Sequence, residues 1–308
     1  MNKIIVQAPA TIANLSCGYD ILGLAVKSPF DQITISKEKN KKGIVIDSIS
    51  GFSKGIPIDI KKNVVTYPML KMLDDYSISD GFKVEIKKGI PIAGGMGSSA
   101  ASSVAGVFGL NKLLDLRLSK KEIIKYALLG EELATGAGHA DNVSPCLFGG
   151  ITLIRQEPFD IFTIPTNIDL YASIIKPNIE LRTKDGRNIL PRQIILEDAV
   201  KQWSNIASLV LGFLKNDVNI IKESQYDYIV EPIRKKLIPN YDLVKKVAIE
   251  SGAILCNISG SGPSIFALSK SEKNANLIGD KMKAAMTTDS DVFISRINKA
   301  GCKYTIEI

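Results

Sequence analysis

The chain of 308 residues has one histidine, His139, and one tryptophan, Trp203. A histidine-based catalytic triad would rest on that single residue, and a histidine-rich metal centre is excluded. The four cysteines, Cys17, Cys146, Cys256 and Cys302, are far apart and form no C-x-x-C pair. Their spacing argues against zinc and against a disulfide framework. No apolar run approaches the length that spans a bilayer. Gln7, Pro9 and Asn14 interrupt any signal-peptide core, so the expectation is a mature cytoplasmic protein with no membrane partner. Internal repeats and low-complexity segments are also lacking.

The net charge of +7, with a pI near 9.0, is spread along the chain. Only Lys39, Lys41 and Lys42 form a local run, which reads as a solvated loop. Scattered lysines do not make the basic stripe of a nucleic-acid binder, so no nucleic-acid partner is expected; handling of phosphate explains the balance equally well. The length suits one large domain or two ordinary ones, with ample core in either case.

What the chain does have is a glycine-rich turn feeding a helix. Residues 91–114, PIAGGMGSSAASSVAGVFGLNKLL, place Gly94, Gly95, Gly97, Ser98 and Ser99 just before small and apolar residues at helical spacing. Such a turn lets a ligand approach the main chain. The first helical turn adds unpaired N–H groups and the positive end of the dipole, so phosphate can be held there without a lysine. No lysine follows Gly97, which excludes the G-x-x-x-x-G-K-[ST] loop, and G-x-G-x-x-G fails on register. The residues alone leave open an ordinary loop and a tightly packed helix.

Around this stretch, strands and helices alternate. Residues 3–8 read as a strand ending at Pro9, with Asn14, Gly18 and Asp20 as turn chemistry between two apolar runs. Residues 31–49 read as strands, 63–74 as an amphipathic helix that Asn63 could cap, and 82–88 as the strand delivering the chain to the glycine turn. Ser119 caps a helix over 120–133 that ends in Glu131 and Glu132. Two acids there oppose the dipole. They mark either a cation such as magnesium or an exposed charged end. Residues 135–150 read as a glycine-rich loop carrying His139, Asp141 and Asn142.

After a strand at 151–154 the composition shifts at Gln156, Glu157 and Pro158, which sets the expected domain boundary: 1–157 and 158–308. The second half predicts a strand at 171–175 and a long helix at 196–214 with Trp203 as core anchor. Further helices are expected at 242–251 and 272–286, and strands at 254–257, 291–296 and 304–308. Pattern alone gives mixed α and β in two halves.

Several of these segments resemble the GHMP kinases. Residues 91–100 match P-x-x-x-G-x-G-S-S-A. Residues 8–14 and 18–23 match A-P-x-[ST]-x-A-N and G-x-D-x-L-G, and residues 259–268 match S-G-S-G-P-[ST]-x-F-x-L. Three more segments resemble the homoserine kinase branch: G-x-x-H-x-D-N-x-x-P-x-x-x-G-G at 136–150, T-x-x-A-R-x-x-L-P at 183–191 and E-P-x-R-x-x-L-[IL]-P at 231–239. One departure is Gly186, which stands where alanine is usual and loosens the local backbone. The resemblance runs from Ala8 to Leu268 with the segments in the expected order.

The resemblance implies an α+β, two-domain GHMP kinase fold. Its N-terminal domain would be like ribosomal protein S5 domain 2, with a left-handed β-α-β crossover, and its C-terminal domain ferredoxin-like. It implies a transferase that phosphorylates the side-chain hydroxyl of L-homoserine with ATP and Mg²⁺, in threonine biosynthesis, and that works as a homodimer. The nucleotide would lie on Pro91, Ile92, Ala93, Gly94, Gly95, Met96, Gly97, Ser98, Ser99 and Ala100, with Asn63 nearby, and Ser98 and Glu131 would hold the metal; Glu132 is the near miss. Asn14, Asp20, Asn142, Arg187, Arg234 and Gly260 would bind the acceptor, and Asn142, Arg187 and Thr183 would be the catalytic set. Asp20 suits an ammonium, and the arginine forks suit a carboxylate. No residue is expected to act as a dedicated general base, and His139 is expected to be a structural residue of its loop. Two alternatives stay open. A GHMP kinase for another small alcohol should lack the H-x-D-N and E-P-x-R segments, and a non-catalytic nucleotide-binding relative should lack Ser98, Glu131 or Asp20.

Overall fold

The computed structural model describes residues 2–307 apart from Arg182, and the backbone alone of Thr183. The chain begins with β1 (Lys3–Ala13), β2 (Leu22–Glu38) and β3 (Gly43–Gly51), then α1 (Thr66–Asp75) and β4 (Gly81–Lys88). Three helices follow, α2 (Ser98–Leu114), α3 (Lys120–Thr135) and α4 (Ala140–Phe148), and then the hairpin β5 (Ile151–Arg155) and β6 (Asp160–Ile164). Next come β7 (Tyr171–Pro177), α5 (Thr183–Asn188), α6 (Leu196–Lys215), α7 (Val218–Glu223), α8 (Glu231–Arg234) and α9 (Tyr241–Glu250). The remainder is β8 (Leu255–Ile258), β9 (Ile265–Ser269), α10 (Glu272–Ala285), β10 (Ser290–Arg296) and β11 (Lys303–Glu307).

The strands form two sheets. The larger runs β11-β1-β2-β4-β3, with the β5–β6 hairpin also paired to β2. Its β3 and β4 pair in parallel, are joined through α1 and form a β-α-β unit. The smaller sheet, β10-β7-β9-β8, is antiparallel throughout. Numbered within itself its order is 4-1-3-2, with α10 between its third and fourth strands; this is the ferredoxin-like arrangement.

Both cores follow from residue pattern. The buried side of β1 (Ile4, Val6 and Ala8) alternates with less buried Lys3, Ile5 and Gln7, the period-2 signature of a sheet with one covered face. Over it lies α2, buried on nearly every side, and its small residues let neighbours come close: a Cβ on Gly109 would sit 2.8 Å from Ile35 and 3.0 Å from Val6. Ser119 caps α3 by accepting from Glu122 N–H while the Glu122 carboxylate accepts from Ser119 N–H. This reciprocal pairing satisfies two donors that a helix start leaves orphaned.

Four expectations need correction. First, β1 continues past Pro9 to Ala13, with a register shift between Pro9 and Thr11 that accommodates the missing N–H. Second, the segment taken as a loop contains α4; glycines flank it, and Pro145 in its second turn removes one backbone donor from the helix. Third, the polar run at 156–158 is the tip of the β5–β6 hairpin, so the first sheet extends beyond residue 157 and also takes back β11 from the far end of the chain. Fourth, Trp203 is 57% exposed, because α6 is apolar on both its inner and its outer face. Ile308, the last residue of the expected final strand, lies outside the described residues. Among the described residues no helix is long and apolar enough to cross a membrane.

Candidate active site

The loop between β4 and α2 is held from both sides. Gly95 and Gly97 take φ of +72° and +68°, which favours glycine. Space enforces the choice: a Cβ on Gly97 would lie 2.0 Å from Thr11 Oγ1, and one on Gly95 2.4 Å from the Ser259 carbonyl. Ser259 Oγ donates to the Gly95 carbonyl at 2.6 Å, and Thr11 N–H to the Met96 carbonyl at 3.1 Å. Two motifs distant in sequence thus clasp one loop, leaving the open N-terminus of the 17-residue α2 facing a cavity of about 860 Å³. Ile92, Ala93, Gly94, Gly95, Gly97, Ser98 and Ser99 line that cavity. Met96 and Ala100 turn into the hydrophobic core and Pro91 is buried, so these three support the loop from behind.

Beneath the loop lies a dry ion pair that the sequence reading missed. Lys88 and Asp31 side chains are 3% and 0% exposed. Lys88 Nζ donates to Asp31 Oδ2, to the Ser98 carbonyl at 2.9 Å and to Ser102 Oγ at 2.6 Å. Ser102 Oγ donates to Asp31 Oδ2 at 2.8 Å, and Asp31 Oδ1 accepts from Gly89 and Ile90 N–H, both at 3.0 Å. Every charge is therefore satisfied, which is what makes burial tolerable. Burial pulls the Lys88 ammonium below its ordinary value, and the Asp31 carboxylate pulls the other way. The pair fixes where α2 starts. A lysine at the end of a strand and an aspartate inside another were the signals available.

Glu131, buried on α3, faces the same cavity. Its Oε1 has no hydrogen-bond partner among the described residues. Burial pushes its carboxyl up to about 7, against a Ser99 hydrogen bond and the Lys88 charge. A buried, orphaned carboxylate oxygen beside a phosphate-type loop suits a hard cation. Glu132, the alternative, is exposed and does not line the cavity. Ser98 Oγ lines the cavity and donates to the Ile90 carbonyl at 3.0 Å, which leaves its lone pairs available. Among the described residues no three His, Cys, Asp or Glu side chains form a metal cluster, so a magnesium ion here would depend on one carboxylate, a hydroxyl and phosphate oxygens.

At the other end of the cavity polar groups converge. Asp20 and Arg187 form a two-pronged pair at 2.5 and 3.0 Å, with side chains 27% and 29% exposed. Arg234 is buried, with Nε on the Gly186 carbonyl and Nη1 on the Gly260 carbonyl, each at 2.9 Å, and no carboxylate partner among the described residues. Both guanidinium groups face the Tyr19 ring, at 5.3 and 5.1 Å from its centre. Asn14 donates to the Gly260 carbonyl at 2.9 Å and accepts from Asp20 N–H at 3.1 Å. Asn142 Oδ1 accepts from Thr11 Oγ1 at 2.7 Å, so its N–H₂ end remains for the cavity.

All six residues expected for the acceptor therefore line one cavity with the glycine loop. The side chain of Thr183 lies outside the described residues. Asn63 is fully buried and spends its amide on the neighbouring loop, donating to the Pro57 carbonyl at 2.7 Å and accepting from Val65 N–H at 2.9 Å; it shapes an apolar wall that includes Ile56 and Val64. Tyr19 was also missed, since its place inside the G-x-D turn gave no sign that two arginines converge on it. His139 precedes α4, lines the cavity and reaches Thr135 Oγ1 at 3.4 Å; burial and then the Arg187 charge keep its pKa below the ordinary value. Asp141 is buried with Oδ1 unpartnered among the described residues, and burial, then the Asp20 charge, push its carboxyl up to about 7.

Residues 59–150 match the family described as GHMP kinases N terminal domain, and residues 210–288 match GHMP kinases C terminal. A homoserine kinase of Chlorobium phaeobacteroides is 40% identical over 98% of this chain and 99% of its own length. The chain belongs to the homoserine kinase family of the GHMP kinases. A homoserine kinase of Methanococcus vannielii, an archaeal member, is 40% identical over 88% of this chain and 89% of its own. The crystal structure of homoserine kinase from Cytophaga hutchinsonii superposes with a TM-score of 0.94 at 47% identity, covering 99% of this chain and 98% of that one. A mevalonate kinase structure from L. major reaches 0.75 at 16% identity over 95% and 94% of the two chains, and shares the fold. Within the family, the two-domain GHMP kinase architecture accounts for both sheets.

Proposed function

We propose that the protein transfers the γ-phosphoryl group of ATP to the side-chain hydroxyl of L-homoserine, forming O-phospho-L-homoserine. One observation carries this reading: a single cavity has an anion-binding helix start at one end and, at the other, an aspartate beside two arginines stacked on one tyrosine. The amino acid presents opposite charges a fixed distance from its hydroxyl. Its ammonium suits Asp20, and its carboxylate suits the forks of Arg187 and Arg234. The acceptor enters by sharing Asp20 with Arg187. Arg234 needs no such exchange, because its two acceptors are neutral carbonyls.

The triphosphate lies along the N–H groups of Gly94 to Ser99, with the base against the wall of Ile56 and Val64. Ser98 and Glu131 would hold Mg²⁺, which when bound offsets the negative charge of the phosphates. Asn142, oriented by Thr11, donates toward the acceptor hydroxyl and holds it in line. Phosphoryl transfer depends on such positioning more than on covalent help from side chains. The hydroxyl proton passes to a phosphate oxygen, and no side chain is assigned as base. The reading includes a cytoplasmic setting, a place in threonine biosynthesis and pairing of two copies, with residues 1–157 as the nucleotide-binding domain and 158–308 as the C-terminal domain, apart from β6 and β11, which join the first sheet.

The test is ADP release coupled to ATP consumption, with L-homoserine and with mevalonate, galactose and L-serine as controls, with and without Mg²⁺. Magnesium-dependent turnover with homoserine alone is expected. ATP binding with every acceptor silent would overturn the proposal in favour of a non-catalytic relative.

A further inference from the structure

The 20-residue helix α6 is apolar on two faces. The inner one buries Leu209 and Phe213 and packs Ile206 and Val210 against the main core. The outer one carries Leu196, Val200, Trp203, Ala207, Leu211 and Leu214, every one exposed. A surface helix ordinarily turns polar residues outward. The outer residues recur at steps of three and four, so they form one straight apolar stripe down the side of the helix. Tyr226 and Tyr228 widen the patch, since Asn205 Nδ2 donates to the Tyr226 carbonyl and Tyr228 N–H to Gln202 Oε1, both at 2.8 Å.

We infer that this face docks on the same face of a second copy of the chain, α6 against α6, antiparallel about a twofold axis near the helix midpoint. In that register Leu196 meets the partner's Leu214, Val200 the partner's Leu211, and Trp203 the partner's Ala207. The bulkiest side chain of the row faces the smallest, as interdigitated packing requires. The acidic first turn, Glu197 and Asp198, comes beside the partner's Lys215, and the two helix dipoles run in opposition. Covering the helix face and the flanking tyrosines removes on the order of 800 Å² from each copy, the amount a standard stable interface buries. The reading above includes pairing of two copies; this inference supplies the surface, and it stands apart from the kinase chemistry because one chain supplies every residue placed in the site.

Sedimentation equilibrium over a dilution series tests it. The wild type is expected at twice 33.4 kDa. Val200→Glu and Ala207→Glu each place a carboxylate in the seam and are expected to weaken self-association by at least about 100-fold, giving 33.4 kDa species of unchanged helix content by circular dichroism. Leu277→Glu, at a comparably exposed position on α10, keeps the dimer. Trp203 is the sole tryptophan, so its emission reports the seam directly: blue-shifted and shielded from acrylamide in the wild type, red-shifted and quenchable on dilution. That reading stands even if a glutamate variant fails to fold. A wild type that stays at 33.4 kDa at every concentration, or seam variants that remain dimeric, would overturn the inference. Turnover per chain in Val200→Glu is expected to equal that of the wild type, which separates this outcome from any failure of the kinase reading.

Discussion

Two carboxylate–cation pairs flank the cavity and differ in almost every respect except their chemistry. Lys88–Asp31 is dry, braced by the Ser102 hydroxyl and three backbone groups, and sits under the loop that receives phosphate. Asp20–Arg187 is more than a quarter exposed, is braced mainly by Asn14 and Tyr19, and occupies the place where an amino acid would bind. Burial of a fully satisfied pair makes either partner hard to remove without leaving a stranded charge. Partial exposure keeps water in competition, so the partners can separate and pair with something else at little cost. The first pair builds the site, and the second yields to the ligand.

The sharpest way to break this contrast is Lys88→Met. It strands Asp31 in the core and should cost about 3–5 kcal/mol of stability, read by urea or thermal unfolding, with Lys88→Arg restoring only part of it. A loss below about 1 kcal/mol would mean that the pair is not structural. Second, Glu131→Gln keeps the shape but removes the buried carboxylate placed to hold the metal, so kcat should fall about 10²–10³-fold and the dependence on Mg²⁺ should shift to higher concentration, with melting temperature little changed. Third, Arg187→Ala should leave stability within about 1 kcal/mol and raise the KM for homoserine about 10–100-fold, with the KM for ATP unmoved. An unaltered homoserine dependence would put the acceptor elsewhere.

The smallest effect concerns Asp141, which lines the same cavity and feels the Asp20 and Arg187 charges. Its folded value of about 7 lies above the roughly 3.9 of an unfolded aspartate. Between these values the folded state binds more protons than the unfolded one, so this contribution to stability is fully present below about pH 4 and is lost as pH rises through 7. Asp141→Asn should flatten that part of the profile in thermal melts from pH 5 to 8, and should raise the melting temperature at pH 8 by roughly 2 °C or more. Because no side chain is assigned as base, kcat should stay within about tenfold.

What could be read from sequence depended on how local the signal was. The glycine turn and the Ser119–Glu122 capping box are written in adjacent residues, and both appear where their chemistry puts them. The acceptor residues became legible through the resemblance; no spacing rule joins Asp20 to an arginine 167 positions away. Lys88 and Asp31, 57 apart, each looked like a polar residue on a strand, since their pairing exists only once β2 and β4 align. Trp203 misled for a different reason: amphipathic periodicity finds a helix, but α6 has two apolar faces and periodicity does not say which one the core takes.

The edge strand β11 matters for the order in which the protein can assemble. It hydrogen-bonds to β1 from the opposite end of the sequence, so that Lys3 and Glu307, 304 positions apart, form an ion pair. On a ribosome the first strand emerges long before the strand that will cover its flank. Through most of synthesis β1 therefore offers an unpaired row of backbone donors and acceptors, the kind of edge that recruits foreign strands. Because closing so long a loop comes late, nascent chains should depend on chaperones until β11 arrives, and loss of β11 would leave the rest of the fold with an adhesive side.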